Sequence, residues 1–183
     1  MFQFLFGWDG GAGVRGTLHR GAAVLFSVGC VWHLIYLCTA RGRQFLRDMW
    51  PRISDGADLW NMLLHNLGRP ESPPRFGRFS FVEKMEYWAL IWGSVIMAGT
   101  GLFLWFDNVA VQYIPKGVLD VLLIIHFLEA VLATLAIAIW HFYFTVLRPG
   151  VYPGNPSWLT GKMPLEMHRH EHPAEYDAED VDA

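Results

Sequence analysis

The chain has 183 residues, of which 53% are hydrophobic, 15% aromatic and only 17% charged. This composition is too apolar for a water-soluble domain of this size and indicates a membrane protein. The net charge of −3 disfavours nucleic-acid binding, and the two cysteines, Cys30 and Cys38, cannot build a disulfide framework or a cysteine metal cage.

The first apolar segment covers about residues 16–40, and roughly 20 residues of helix suffice to cross a bilayer. It contains His19 and His33, with Arg20 beside the first histidine and Arg41 just after the segment. Ionisable residues inside a membrane are costly and usually face the interior of a helix bundle, where a partner pairs with them. The two histidines are 14 residues apart, so at about 100° per residue they return to nearly the same helix face.

The connection after the first span is basic and contains one amphipathic segment. From Asp58 to Gly68 the apolar side chains recur on one helical face, which predicts a short helix at the membrane surface that stops at Gly68. The prolines of residues 70–74 predict a linker. The positive-inside rule places this connection in the cytoplasm. Its basic residues are Arg41, Arg43, Arg47, Arg52, Arg69, Arg75, Arg78 and Lys84.

Two further apolar segments, about residues 87–106 and 118–147, complete a predicted all-α bundle of three transmembrane helices. The N-terminus then lies outside, and the third span runs parallel to the first and ends in the cytoplasm. The third span exceeds the required length by about ten residues, which predicts that it tilts or projects from the bilayer. Residues 1–165 form the predicted membrane domain, and residues 166–183 form a predicted acidic cytoplasmic tail.

The third span carries His126 and His141, which are 15 residues apart and again lie on nearly one face. Because spans one and three are predicted to be parallel, His19 is level with His126 near the outer surface, and His33 is level with His141 near the inner surface. The helix rise separates the two levels by about 21–22 Å. A noncovalently bound b haem needs an axial imidazole from each side, so two histidine pairs suit two haems.

Other functions remain open for the same residues. Arg20 and Arg41 are candidates to neutralise haem propionates, although arginines at helix ends also snorkel or set topology. In a haem-free anchor subunit for peripheral redox proteins, the histidines would form interhelical hydrogen bonds. In a proton-conducting or transport module, Glu129 and the histidines would relay protons, but the sequence lacks the broken helices and inverted repeat of many transporters.

Motifs in all three spans carry a family resemblance. Over about residues 15–165, the chain resembles the membrane cytochrome b subunits (gamma subunits) of formate dehydrogenase type and the related di-haem cytochromes b of nickel-iron hydrogenases. The third-span motif is the most specific. The motifs are His19-Arg20-x5-Phe26 with His33-Leu34-x-Tyr36, Glu83-Lys84-x-Glu86-Tyr87-Trp88-Ala89-x2-Trp92-Gly93-x3-Met97, Thr100-Gly101-Leu102-x-Leu104-Trp105-Phe106, and His126-x2-Glu129-Ala130-x-Leu132-Ala133-x-Leu135-Ala136-Ile137-x2-Trp140-His141-Phe142-Tyr143.

The resemblance implies a subunit of a respiratory complex in the bacterial cytoplasmic membrane. It would pass electrons through two b haems between a redox partner on the outer side, either a c-type cytochrome or an iron–sulfur protein, and the quinone pool. Any bond-making chemistry would be limited to quinone reduction or quinol oxidation near the inner haem.

The resemblance also implies haem ligands by position. His19 and His126 match the ligands of one haem, and His141 matches a ligand of the other. His33 is inferred from spacing, because in the family a histidine of an earlier helix supplies that ligand. Such subunits generally have four spans, so either another chain supplies the missing helix or His33 completes the inner haem site.

Overall fold

The structure, a computed structural model, describes residues 11–69, 74–175 and 177, and the regular elements in these ranges are helices. Two π-helical segments, Ala136–His141 and Tyr143–Leu147, follow the helix Lys116–Leu135. In sequence order the chain forms two compact units, the first ending at Arg47 and the second beginning at Asp48. The helices are α1 (Gly11–Leu37), α2 (Ala40–Asp48), α3 (Ile53–Asn66), α4 (Phe81–Trp105), α5 (Asp107–Ala110), α6 (Lys116–Leu135), α7 (Ser157–Thr160) and α8 (Leu165–Glu171).

Three helical segments are long and apolar enough to cross a membrane, namely Gly13–Leu37, Phe81–Trp105 and Lys116–Leu147. They match the three predicted spans, so the prediction of an all-α membrane protein with three spans is confirmed. Large apolar side chains are exposed along each span. Such exposure is expected for helices surrounded by lipid, because lipid tails are as apolar as these side chains. Examples are Leu25, Trp92 and Ile139.

In the first unit, α1 ends at Leu37 and not near residue 40 as predicted, because the chain turns there into a second helix. The hydroxyl oxygen of Thr39 accepts a hydrogen bond from the Gly42 amide at 3.0 Å, which caps the start of α2. Gly42 is required at this turn, since a Cβ atom there would overlap the backbone of Tyr36. No helix was predicted at the position of α2.

The second unit opens with α3, which begins at Ile53, five residues before the predicted start. The Asp55 carboxylate accepts a hydrogen bond from the Arg52 amide at 2.6 Å, and this contact starts the helix. The helix ends just before Gly68, whose φ of 78° lies in the left-handed region, as the predicted stop at glycine requires. The position of α3 at the membrane surface stays a prediction, and residues 70–73 of the predicted linker lie outside the described residues.

The second span, α4, begins at Phe81, six residues earlier than predicted, because of a reciprocal capping box. The Ser80 hydroxyl accepts from the Glu83 amide at 3.3 Å, and the Glu83 carboxylate accepts from the Ser80 amide at 2.8 Å. Lys84 therefore belongs to the first turn of α4 and not to the basic connection. Its ammonium group donates to the Asp55 carboxylate at 2.7 Å and so ties α4 to α3.

The end of the chain folds back onto the segment that precedes α4. His172 is only 5% exposed, and its Nδ1 lies 2.8 Å from the carbonyl oxygen of Gly77. The Ala174 amide donates to the Phe76 carbonyl at 3.0 Å, and Glu171 pairs with Arg148 at the end of the third span. Within the predicted tail of residues 166–183, this contact involves residues 171–174, whereas residues 176 and 178–183 lie outside the described part.

Candidate functional site

The first unit contains four of the six residues predicted to bind a cofactor. His19, Arg20 and His33 lie on α1, and Arg41 lies in the first turn of α2. The imidazole of His33 packs against the rings of two aromatic residues. The ring centroid of Tyr36, one turn further along α1, lies 6.2 Å away, and that of Phe45 on α2 lies 6.4 Å away in an edge-on arrangement. Packing of α2 on α1 thus fixes one side of His33.

In the second unit, the imidazole of His126 on α6 is held by two consecutive residues of α4. The Oγ1 atom of Thr100 lies 2.8 Å from Nδ1 of His126, and Thr100 is only 7% exposed. The adjacent Gly101 leaves space for the ring, since a Cβ atom there would approach Cε1 of His126 to 3.1 Å. The ring is therefore oriented by a hydrogen bond and fitted against a backbone that lacks a side chain.

The imidazole of His141, at the end of the first π-helical segment, is also held from α4. Its Nδ1 lies 3.1 Å from Oε2 of Glu86, in the second turn of that helix. The other carboxylate oxygen, Oε1, is buried and has no hydrogen-bond partner within the described part of the chain. The His141 side chain itself is 56% exposed. A carboxylate thus engages one ring nitrogen, while much of the imidazole is accessible from outside the unit.

Both histidines of the third span face α4, but the reason differs from the predicted one. The prediction that His126 and His141 share a face assumes a uniform α-helix between them. Residues 136–141 are instead π-helical, with wider turns closed by i to i+5 hydrogen bonds. The contacts to Thr100 and Glu86 establish the common direction instead. These contacts also show that α4 and α6 are antiparallel, since later residues of α4 meet earlier residues of the third span.

Between the two histidines, Glu129 lies against a second glycine of α4. A Cβ atom at Gly93 would approach Oε1 of Glu129 to 2.5 Å, so the carboxyl group occupies the space that the glycine leaves. Gly93 itself is buried in this contact. Two glycines of one helix thus receive two polar side chains of the next, as is common where membrane helices pack closely.

The geometry of His126 and His141 suits metal ligation. A ligating imidazole binds the metal through one nitrogen, while a hydrogen bond to the other nitrogen fixes its orientation and tautomer. In both residues Nδ1 is engaged by a side chain of α4, so a metal held by these residues would be bound through Nε2. Among residues 11–69, 74–175 and 177, no group of three His, Cys, Asp or Glu side chains is arranged to hold a metal ion. Single imidazoles of this kind can hold a haem iron.

Two of the side chains that contact these histidines, Glu86 and Thr100, lie within the motifs of the sequence but had no predicted role. For Glu86 a signal was present, because a carboxylate within the apolar start of a span needs a partner and Glu83 already serves the helix cap. For Thr100 there was none, since threonines in membrane helices commonly bond to the carbonyl four residues back, as Thr100 also does with Ile96 at 2.6 Å.

Fold and site together define an all-helical membrane protein in which side chains of the second span are hydrogen-bonded to Nδ1 of two histidines of the third. Comparison with known families agrees with this class. A family model described as prokaryotic cytochrome b561 matches residues 1–152, and the chain belongs to this family. Membership implies haem b as cofactor and electron transfer in the membrane as function. Searches of curated proteins and of solved structures gave no match.

Proposed function

We propose that the chain binds two b haems, each between two histidines, and transfers electrons across the membrane. His19 and His126 would ligate one haem, and His33 and His141 the other. The observation that supports this most directly is that both histidines of the third span face α4 with Nδ1 engaged by a side chain. In this proposal Nε2 would be the ligating atom of both histidines, at two separate levels of the third span.

In this proposal the haems carry the electrons, and four residues of the chain orient the ligands or neutralise charge. The bound haems supply reversible one-electron iron couples, with potentials set by the axial ligands and their surroundings. Thr100 and Glu86 orient the two imidazoles of the third span. Arg20 and Arg41 neutralise propionates, since guanidinium groups pair well with carboxylates.

The proposed partners follow from the two levels. The His19 and His126 level would exchange electrons with a c-type cytochrome or an iron–sulfur protein on the outer side. The His33 and His141 level would exchange them with quinone near the cytoplasmic side. This orientation, in the bacterial cytoplasmic membrane with the N-terminus outside, is supported by the arginines between the first two spans. Other subunits of a membrane redox complex complete the assembly.

The experiment is a haem count on the complex purified from membranes. Pyridine haemochrome analysis and reduced-minus-oxidised spectra are compared for the wild type, His33→Ala, His141→Ala and, as matched control, His170→Ala in the exposed part of α8. We expect two b haems per chain, one lost in each of the first two variants and none in the control. If the wild type carries no haem b, the chain is an anchor subunit. If His33→Ala retains both haems, a helix of another chain supplies that ligand.

A further inference from the structure

The two histidines of the third span differ in the chemistry of their hydrogen-bond partners. Nδ1 of His141 contacts a carboxylate, Oε2 of Glu86, at 3.1 Å. Nδ1 of His126 contacts a hydroxyl, Oγ1 of Thr100, at 2.8 Å. A hydrogen bond to an ionised acceptor is roughly twice as strong as one between neutral groups. The two imidazoles are therefore polarised to different extents.

At His126 the hydrogen bonds of Thr100 show which group donates the proton and which accepts it. The Thr100 hydroxyl has one proton, and its oxygen lies 2.6 Å from the carbonyl oxygen of Ile96, which can only accept. The hydroxyl donates to Ile96, so its oxygen accepts from Nδ1–H of His126. Nε2 is then the unprotonated nitrogen of this imidazole, and its partner at Nδ1 carries no charge.

At His141 the charged residues that precede Glu86 on α4 are bound to other partners, and the Glu86 carboxylate contacts the imidazole. The nearest basic residue along α4, Lys84, has its ammonium group on Asp55 at 2.7 Å. The preceding acid, Glu83, is bound to the helix cap at Ser80. Oε1 of Glu86 has no hydrogen-bond partner within the described residues. The Nδ1–H group of His141 is thus the donor that this carboxylate contacts.

We propose that Glu86 is a positioning residue that gives the haem ligated by His141 the lower reduction potential of the two. This inference rests on the proposed function. A carboxylate at Nδ1–H raises the basicity of Nε2, and a more basic ligand stabilises ferric over ferrous iron. Thr100, a neutral acceptor, does this less for the haem ligated by His126. An electron shared between the two haems therefore resides mainly on the His126 side.

The test is a spectroscopic redox titration of the purified complex, with electron paramagnetic resonance of the oxidised haems as a second measurement. Glu86→Gln keeps an oxygen that accepts from Nδ1–H and removes the charge. We expect this variant to raise the reduction potential of the low-potential haem by at least about 59 mV. For a one-electron couple this is a tenfold shift of the equilibrium towards the reduced form. The resonance of the same haem should shift, and the high-potential haem should not respond.

Three variants separate this effect from a structural one. Glu86→Asp keeps the charge and should give a potential between those of the wild type and Glu86→Gln. Thr100→Val should alter the high-potential haem only. Glu83→Gln, the matched change one turn earlier, preserves the capping box and should alter neither. The inference is overturned if both haems are present and Glu86→Gln leaves both potentials unchanged or moves the haem that responds to Thr100→Val. Absence of haem b from the wild type would instead overturn the proposed function.

Discussion

Gly101 of α4 lies against the imidazole of His126 so closely that a Cβ atom at this position would come within 3.1 Å of the ring carbon Cε1. Thr100, the preceding residue, contacts the same ring at Nδ1. Two consecutive residues of the second span therefore determine where this histidine of the third span lies and which nitrogen it presents. Neither residue is a proposed haem ligand, yet both restrict the orientation in which His126 could be one.

Gly101→Ala should disturb this contact, because the added methyl group requires His126 to move by a few tenths of an ångström. Overpacking of this kind typically costs about 1–3 kcal/mol. We expect a lower thermal midpoint in detergent and a shifted visible spectrum of one haem. Gly99→Ala is the matched control, since a Cβ atom at position 99 meets nothing within 4 Å. Equal behaviour of the two variants would contradict the tight contact at His126.

The three spans could be predicted because their signal is simple. Each is a predominantly apolar segment of at least 20 residues, and helix is the only way for a single segment to satisfy its backbone in lipid. Where the spans begin depends on individual polar contacts. The start of α4 at Phe81 results from Ser80 and Glu83, and the end of α1 at Leu37 results from the turn into α2. A hydropathy window averages over such contacts and misplaces both boundaries.

The surroundings of the histidines were less accessible to sequence reasoning. Spacing suggested that His126 and His141 share a face, and they do both face α4, but the π-helical turns before His141 make that arithmetic invalid. The contacts to Glu86 and Thr100 join residues 55 and 26 positions apart, and one sequence does not show which residues form such pairs. The contact of His172 with Gly77 was equally unpredictable, since it joins residues 95 positions apart.

Lys84→Met should destabilise the second unit. The Lys84 and Asp55 side chains are only 9% and 17% exposed, so removing the ammonium group leaves a poorly solvated carboxylate without its partner. Breaking such a buried pair costs about 3–5 kcal/mol, whereas replacing both charges is often neutral. Asp55→Asn keeps an oxygen for the Arg52 amide that starts α3. The double variant Lys84→Met/Asp55→Asn should therefore recover much of the thermal midpoint lost in Lys84→Met. If the losses of the two single variants simply add in the double variant, the two residues are not a coupled pair.

Asp58 should make stability depend on pH in the acidic range. Burial raises the pKa of its carboxyl above the ordinary 3.8, the charge of Asp55 raises it further, and Lys84 partly opposes the change. Because the folded state binds this proton more tightly than the unfolded state, the group destabilises the fold above its folded pKa and has no effect below 3.8. Asp58→Asn should therefore raise the thermal midpoint at pH 7 and leave it unchanged below pH 3.8. The exposed Glu166→Gln is the control, and an equal gain at both pH values would argue against the raised pKa.

His172→Ala should release the chain end from the segment before α4. The wild-type imidazole is almost fully buried on the Gly77 carbonyl, and the Ala174 amide is hydrogen-bonded nearby to Phe76. Loss of a buried hydrogen bond that leaves a carbonyl unsatisfied costs about 1–3 kcal/mol, so local opening should become about tenfold or more frequent. Hydrogen–deuterium exchange measures this as faster uptake at the Ala174 amide. His170→Ala, which changes an exposed histidine two residues earlier in α8, should exchange like the wild type, and comparable acceleration in both variants would mean that His172 does not hold the segment.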